Sequence, residues 1–279
     1  MTDTRIVLCP IDFTDLSRRE LALATEVCAT FGARLVLHHN IAEIPPGLTR
    51  EWEWDQYNQA GYIGSDETEA RLRALLDALP DGVAGEAMVS RGPVGSVLLD
   101  MAARLPADLV VLGYHGLQSL DHASVTERML DECRSPLLVL HEDAAIDRFR
   151  LRGAPLPVVV STGLGPDATA VTDYAFALAR QAALQLHLLH VAAGDAARDA
   201  ALAQLRALVP ADLAGQVTCH ATEGETIDAI VGIAERLGAG FVMMGEHQRH
   251  WLRDLFVQDT AQGMLHRATC PVWYVPQRR

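Results

Sequence analysis

The run Phe241-Val-Met-Met-Gly245 answers Leu109-Val-Val-Leu-Gly113, 132 positions further along, and Gly224 answers Gly92 at the same distance. His190 closes an apolar run as His39 does, 151 positions away, and Pro271 answers Pro136 at 135. Features that recur in one fixed order mark an internal duplication, so the chain reads as two copies of one folding unit. The unequal offsets locate the divergence. The fall from 151 to 132 puts about 19 extra residues in the first copy after its second strand. The rise to 135 leaves the first copy three residues short between Gly113 and Pro136.

Within each copy, short apolar runs alternate with amphipathic stretches. In the first, strands are expected at Arg5–Ile11, Leu35–His39, Val83–Ser90, Leu109–Leu112 and Leu137–Leu140. Between them lie helical stripes: Leu21, Ala24, Cys28, Phe31; then Leu72, Leu75, Leu76, Leu79; then Val97, Leu98, Met101, Ala102, Leu105. The second copy repeats this with strands at Val158–Ser161, Leu186–Val191, Val217–Ala221 and Phe241–Gly245. Fully apolar strands separated by helices imply a parallel sheet covered on both faces, an α/β fold. The charged, aperiodic stretch 143–155 is read as a linker between domains at 1–142 and 156–279. The 43–64 insert carries Trp52, Trp54, Tyr57 and Tyr62. Its aromatics either cover the first domain or form a lid or partner surface.

Asp108 to Thr126 concentrates the chemistry of the first copy. A buried run reaches Gly113 and Gly116, and Ser124-Val125-Thr126 follows where a helix is expected to begin. Glycines permit close approach of backbone to a ligand, and a helix start offers unpaired N–H groups to anionic oxygen. The same pattern also suits a tight turn that binds nothing. Asp12, at the tip of the first strand, adds a carboxylate acceptor.

Composition narrows the partners. A net charge of −13 disfavours nonspecific contact with nucleic acid or an anionic membrane, both of which need a basic surface. No apolar run approaches the roughly 20 residues that span a bilayer. Five scattered cysteines without a CxxC pair read as reduced, and the opening residues lack a signal peptide's pattern, so a cytoplasmic protein is expected. Lysine is absent, which excludes a lysine clamp or Schiff base. Neutralisation of phosphate then falls to Arg, Mg²⁺ or backbone N–H groups.

Other patterns lead elsewhere. Gly163-Leu-Gly165-Pro-Asp-Ala168 mimics a dinucleotide fingerprint, but the next strand ends in His190-Val191 without the acid that would hold a ribose. The pairs His38/His39, His187/His190 and His247/His250 sit at spacings that put them on opposite strand faces, so hydrogen-bonded strand-end histidines are expected rather than metal ligands.

Taken in order, Pro10-Ile11-Asp12, the GARLVLHH stretch ending at His39, the G-x-P turn at Gly92, DLVVLG-x-H-G and the S-V-T…S-P-L-L-V-L ending resemble the universal stress protein family in its tandem form. The resemblance implies a five-stranded, parallel, Rossmann-like sheet in each half, paired through last-strand edges as an intramolecular pseudo-dimer, with further homodimers in prospect. It implies a non-catalytic, stress-response binding or regulatory module. Some members bind ATP through G-x-x-G, nine residues, then G-(S/T), together with the acid closing the first strand and backbone near the end of the second. Carried onto this chain, the ATP-site residues are Pro10, Ile11, Asp12, Asn40, Gly113, His115, Gly116, Ser124, Val125 and Thr126, with Mg²⁺ accompanying the nucleotide.

The first copy departs from that pattern by three missing loop residues and by Ala123 at the third glycine. The second departs further. Gly163 replaces the acid, Gln258-Asp259 replaces G-(S/T), and the GEHQ-x-x-W run resembles members without the motif. A carboxylate at Asp259 facing phosphate costs roughly 4 kcal/mol at 4 Å and an effective dielectric near 20. Nucleotide binding is therefore expected in the first half alone. Two alternatives remain: an ATP-hydrolysing switch using Asp12 and bound Mg²⁺, and an interaction protein with no nucleotide site.

Overall fold

The structure, a computed structural model, describes residues 6–41, 65–114, 120–165, 169–245 and 260–276. It separates into two compact units. One holds residues 4–113 and 124–135, and the other holds 114–123 and 136–279 together with the first three residues.

The first unit follows β1 (Ile6–Pro10), α1 (Asp15–Phe31), β2 (Arg34–Ile41), α2 (Ser65–Asp77), β3 (Gly85–Arg91), α3 (Val94–Arg104) and β4 (Leu109–Tyr114, to Gly113 in this unit), with α4 (Leu120–Glu132) entering it at Ser124. Its strands lie in the order β3-β2-β1-β4, all parallel, with Ile6 opposite Arg34 and Val7 opposite Leu109. Val7, Leu8, Cys9, Leu35, Val36 and Leu37 are fully buried, which is why these runs carry no polar alternation. From β1 the chain steps to β2 on one side, while β4 returns on the other. In such sheets the crevice outside the strand ends at that switch point is where ligands sit.

The second unit contains β5 (Leu137–His141), β6 (Leu156–Ser161), α5 (Thr169–Ala179), β7 (Leu184–Val191), α6 (Asp195–Leu208), β8 (Val217–Thr222), α7 (Thr226–Leu237), β9 (Phe241–Gly245), α8 (Thr260–Arg267) and β10 (Val272–Val275). The order is β5-β10-β9-β6-β7-β8. All neighbours are parallel except β5 and β10, which run antiparallel with Leu138 opposite Trp273. The last strand of the first copy thus pairs with the last strand of the second.

Two expectations are corrected. The buried face of α1 is Leu16, Ser17, Glu20, Leu23, Ala24, Val27 and Cys28, whereas Leu21 and Phe31 are half-exposed. The stripe is rotated because a charged residue, Glu20, occupies a core seat. Secondly, α4 begins at Leu120, so Ser124 and Thr126 lie inside the helix and not at its first turn. The stretch 143–155 has no helix or strand, and it packs on the second unit: Phe149 and Leu151 are 1% exposed, and the Phe149 ring lies 5.5 Å from that of Phe241. The aromatic insert at 43–64 lies outside the described residues.

Candidate functional site

The first unit's crevice is built from the tips of β1 and β4. Pro10 ends β1, and the next amide, Ile11 N–H, donates to the His38 carbonyl at 2.7 Å, which extends the ladder to the tip. Asp12 Oδ1 then accepts from the Thr14 amide at 2.9 Å and the Thr14 hydroxyl at 2.6 Å. Thr14 in turn caps α1 by accepting from Ser17 N–H. The carboxylate that the sequence placed at the strand tip therefore organises the strand-to-helix turn. Between them Phe13 adopts a left-handed backbone, φ 65°, at a cost of about 1–2 kcal/mol for a residue with a Cβ. Its ring lies 4.8 Å from that of His39, and the Arg71 guanidinium sits over it at 4.3 Å. Ile11, Phe13, Leu21, Leu75 and Arg71 line a cleft of about 220 Å³. Arg71 makes no ion pair among the described residues, whereas Arg18 at the same cleft is held by Asp15 at 2.6 Å.

Gly113 ends the buried part of β4. A Cβ there would stand 2.7 Å from Leu16 Cδ2 and would collide with Glu20 Oε1. This glycine is needed because α1 packs directly on it, a reason the sequence reading did not contain. Thr126 is buried, and its hydroxyl donates to the Gly113 carbonyl at 2.8 Å, tying α4 to the tip of β4. The Thr126 hydroxyl proton is thereby committed within the fold. Val125 is half-buried beside it. Backbone alone is described at Ser124, and His115 and Gly116 lie outside the described residues.

Asn40 closes a polar chain at the tips of β2 and β3. Its Nδ2 donates to the Gly92 carbonyl at 2.8 Å, and its Oδ1 accepts from Ser90 Oγ at 2.9 Å. His38 Nε2 lies 2.7 Å from the same Ser90 Oγ. Ser90 has one proton and gives it to Asn40, so His38 donates through Nε2 and its buried Nδ1 is a lone pair with no partner. Burial, with neighbouring His39 adding to it, lowers the His38 pKa to about 4. Asn40 is left with backbone as its means of touching a ligand.

The second copy keeps this architecture but has apolar residues or glycine at the positions of Asp12, Asn40 and Glu20. Thr162 N–H donates to the Leu189 carbonyl at 3.0 Å as Ile11 does to His38, and Leu164 repeats the left-handed turn of Phe13 with φ 57°. Gly163 stands at the position of Asp12 and Val191 at that of Asn40. Beside Gly245, Val171 fills the place of Glu20, its Cβ 3.8 Å from where a glycine Cβ would be.

Glu20 escaped the sequence reading. It is 5% exposed, and burial, reinforced by Asp12, pushes its pKa well above the usual carboxylate range. A signal existed: Leu16, Glu20, Leu23 and Val27 fall at i, i+4, i+7 and i+11, one helical face with an acid inside it.

The sequence model of the Universal stress protein family matches residues 4–141 and 156–276. A universal stress protein from Synechocystis, Sll1654, is 25% identical over 141 residues, covering 49% of this chain and 85% of that protein. A universal stress protein structure from Archaeoglobus fulgidus aligns over 99% of this chain and 97% of its own with a TM-score of 0.73 at 17% identity. A Pseudomonas aeruginosa structure described as functionally unknown aligns over 99% and 94% with a TM-score of 0.63 at 13% identity. At those identities the structures speak for the fold, and the paired sequence matches speak for descent. The chain belongs to the universal stress protein family, with two of the family's domains in tandem.

Proposed function

We propose that this protein is a non-catalytic, nucleotide-binding regulatory module of the stress response, with one ATP site, in the first half. The observation that carries the reading is the unequal furnishing of two equivalent strand tips. The first has Asp12, Asn40 and Glu20 around its switch point; the second has Gly163, Val191 and Val171. This difference at equivalent positions favours a single binding site, in the copy that keeps the three polar side chains.

The residues present suit the nucleoside end of such a ligand. Asp12 is half-exposed at the strand tip, and backbone at Pro10, Ile11 and Asn40 faces the same end of the sheet. Phosphate would rest on backbone N–H groups, on Mg²⁺ and on His115, Gly116 and Ser124, since Thr126 is engaged by Gly113. Mg²⁺ would supply charge neutralisation in a chain without lysine.

The test is direct. The purified protein is denatured, the released small molecules are chromatographed, and the apo form is titrated calorimetrically with ATP and ADP in the presence of Mg²⁺. One site per chain is expected, abolished by Gly116→Val and unaffected by Gly245→Val. Absence of released nucleotide and of heat at millimolar ligand overturns the reading in favour of an interaction protein. Binding followed by slow accumulation of ADP replaces it with a hydrolytic switch.

A further inference from the structure

We propose that Glu20 is a proton-binding group coupled to occupancy of the first-copy crevice, so that an anionic ligand binds there together with a proton. The inference rests on the nucleotide reading above and adds to it a dependence on pH. It begins from the duplication. The seat beneath the β4 tip is occupied by Val171 in the second copy and by Glu20 in the first, each packed against the equivalent glycine, Gly245 or Gly113. The fold accepts valine in that seat, so the carboxyl is not an architectural need. A carboxyl that is 5% exposed and has no hydrogen bond among the described residues is costly to keep.

Its surroundings determine what it responds to. β1 presents Cys9, whose thiol is raised by burial and by Glu20 and stays neutral, with Cys28 of α1 also acting on it. The turn presents Asp12, the one charged group among the described residues that shifts Glu20, in the same direction as burial. β4 presents Gly113, and α1 itself presents Leu16. Glu20 therefore answers to negative potential at the β1 and β4 tips, where Asp12 already lies and where phosphate would arrive. An added anion makes ionised Glu20 costlier, so the acid holds its proton through a higher pH. By linkage, protonated Glu20 strengthens anion binding by the same factor. Val171 cannot supply this coupling in the second copy.

The experiment titrates the full chain with MgATP at pH 6, 7 and 8, in two buffers of unlike ionisation heat, for wild type, Glu20→Gln and Glu20→Val. The nucleotide's own protonation is common to all three and cancels in the comparison. Wild type is expected to take up more protons on binding than either variant. Its affinity should fall relative to Glu20→Gln as pH rises, by up to about tenfold per unit, the limit for one linked proton. Equal proton uptake and parallel pH profiles, with binding intact, overturn the coupling and leave the nucleotide site standing. Failure of all three proteins to bind overturns the nucleotide site and the coupling with it. Glu20→Val copies a seat already used in the other half, so the comparison survives if the glutamine variant folds poorly.

Discussion

His39 places Nδ1 2.6 Å from the carbonyl oxygen of Ile11, and His190, 151 positions on, places Nδ1 2.9 Å from the carbonyl of Thr162. Each bond fastens the end of a second strand to the residue just past the end of a first. The carbonyl accepts, so both imidazoles carry their proton on Nδ1. The clamp occurs in the copy with Asp12 and in the copy with Gly163, which makes it part of the fold and not of the ligand chemistry. Replacing either histidine by alanine should cost about 1–2 kcal/mol, the usual loss when a buried acceptor is left bare. Chemical denaturation of the two variants reads this out. A loss at His39 with none at His190 would show that the clamp does different work in the two copies.

Gly113 and Gly245 look alike in sequence and should respond oppositely to one methyl group. At Gly113 a Cβ meets Leu16 Cδ2 at 2.7 Å and the Glu20 carboxyl, while at Gly245 the nearest atom is Val171 Cβ at 3.8 Å. Overpacking of this kind costs about 1–3 kcal/mol. Gly113→Ala should therefore lower the unfolding midpoint and Gly245→Ala should leave it nearly unchanged. Glu20→Ala should rescue Gly113→Ala in part by vacating the space. A double mutant no better than the sum of its parts would mean that the two side chains do not share that volume.

The order of strands and helices was legible because each element is long enough to show its period and is repeated twice. The asymmetry of the tips was legible too, since Asp12 against Gly163 is a difference in residue type at a fixed offset. What stayed hidden depends on the third dimension. The bond from the Thr126 hydroxyl to the Gly113 carbonyl and the bonds that tie the Asn40 side chain to Gly92 and Ser90 join residues far apart in sequence, so no local pattern announces them. Glu20 was hidden by a rule of thumb, that charges on helices face water, which a seat between Leu16 and Leu23 breaks.

His38 should make the first unit sensitive to acid. Its folded pKa is lowered to about 4 from 6.5, so the native state resists a proton that the unfolded chain accepts. Stability from this group is present above about pH 6.5 and is lost as pH falls towards 4, by an amount on the order of 3 kcal/mol. His187 and His220, whose ring nitrogens lie 3.0 Å apart, act in the same direction on the second unit, both lowered first by burial. Urea midpoints measured from pH 7.5 to 4.5 should drop for wild type. For His38→Leu they should start lower, because Ser90 loses its partner, yet fall less steeply. Parallel slopes would remove His38 as the source.

Glu20 should act at the other end of the scale. Its folded pKa is raised, chiefly by burial and then by Asp12, so the native state holds a proton that the unfolded chain releases near pH 4.3. Stability is fully present below that value and declines as pH rises towards the folded pKa, because the buried acid must stay protonated or ionise at a cost set by burial and by Asp12. Glu20→Val removes the titrating group and installs the residue that the second copy uses at the same seat. Near pH 4 the variant should match wild type closely, its lost van der Waals contacts being small. At pH 8 it should be the more stable protein by about 1–3 kcal/mol, the range for removing a polar group from an apolar seat. Thermal unfolding at the two pH values without nucleotide measures the crossing. A variant equally destabilised at both would show that the carboxyl contributes to packing alone and carries no displaced proton.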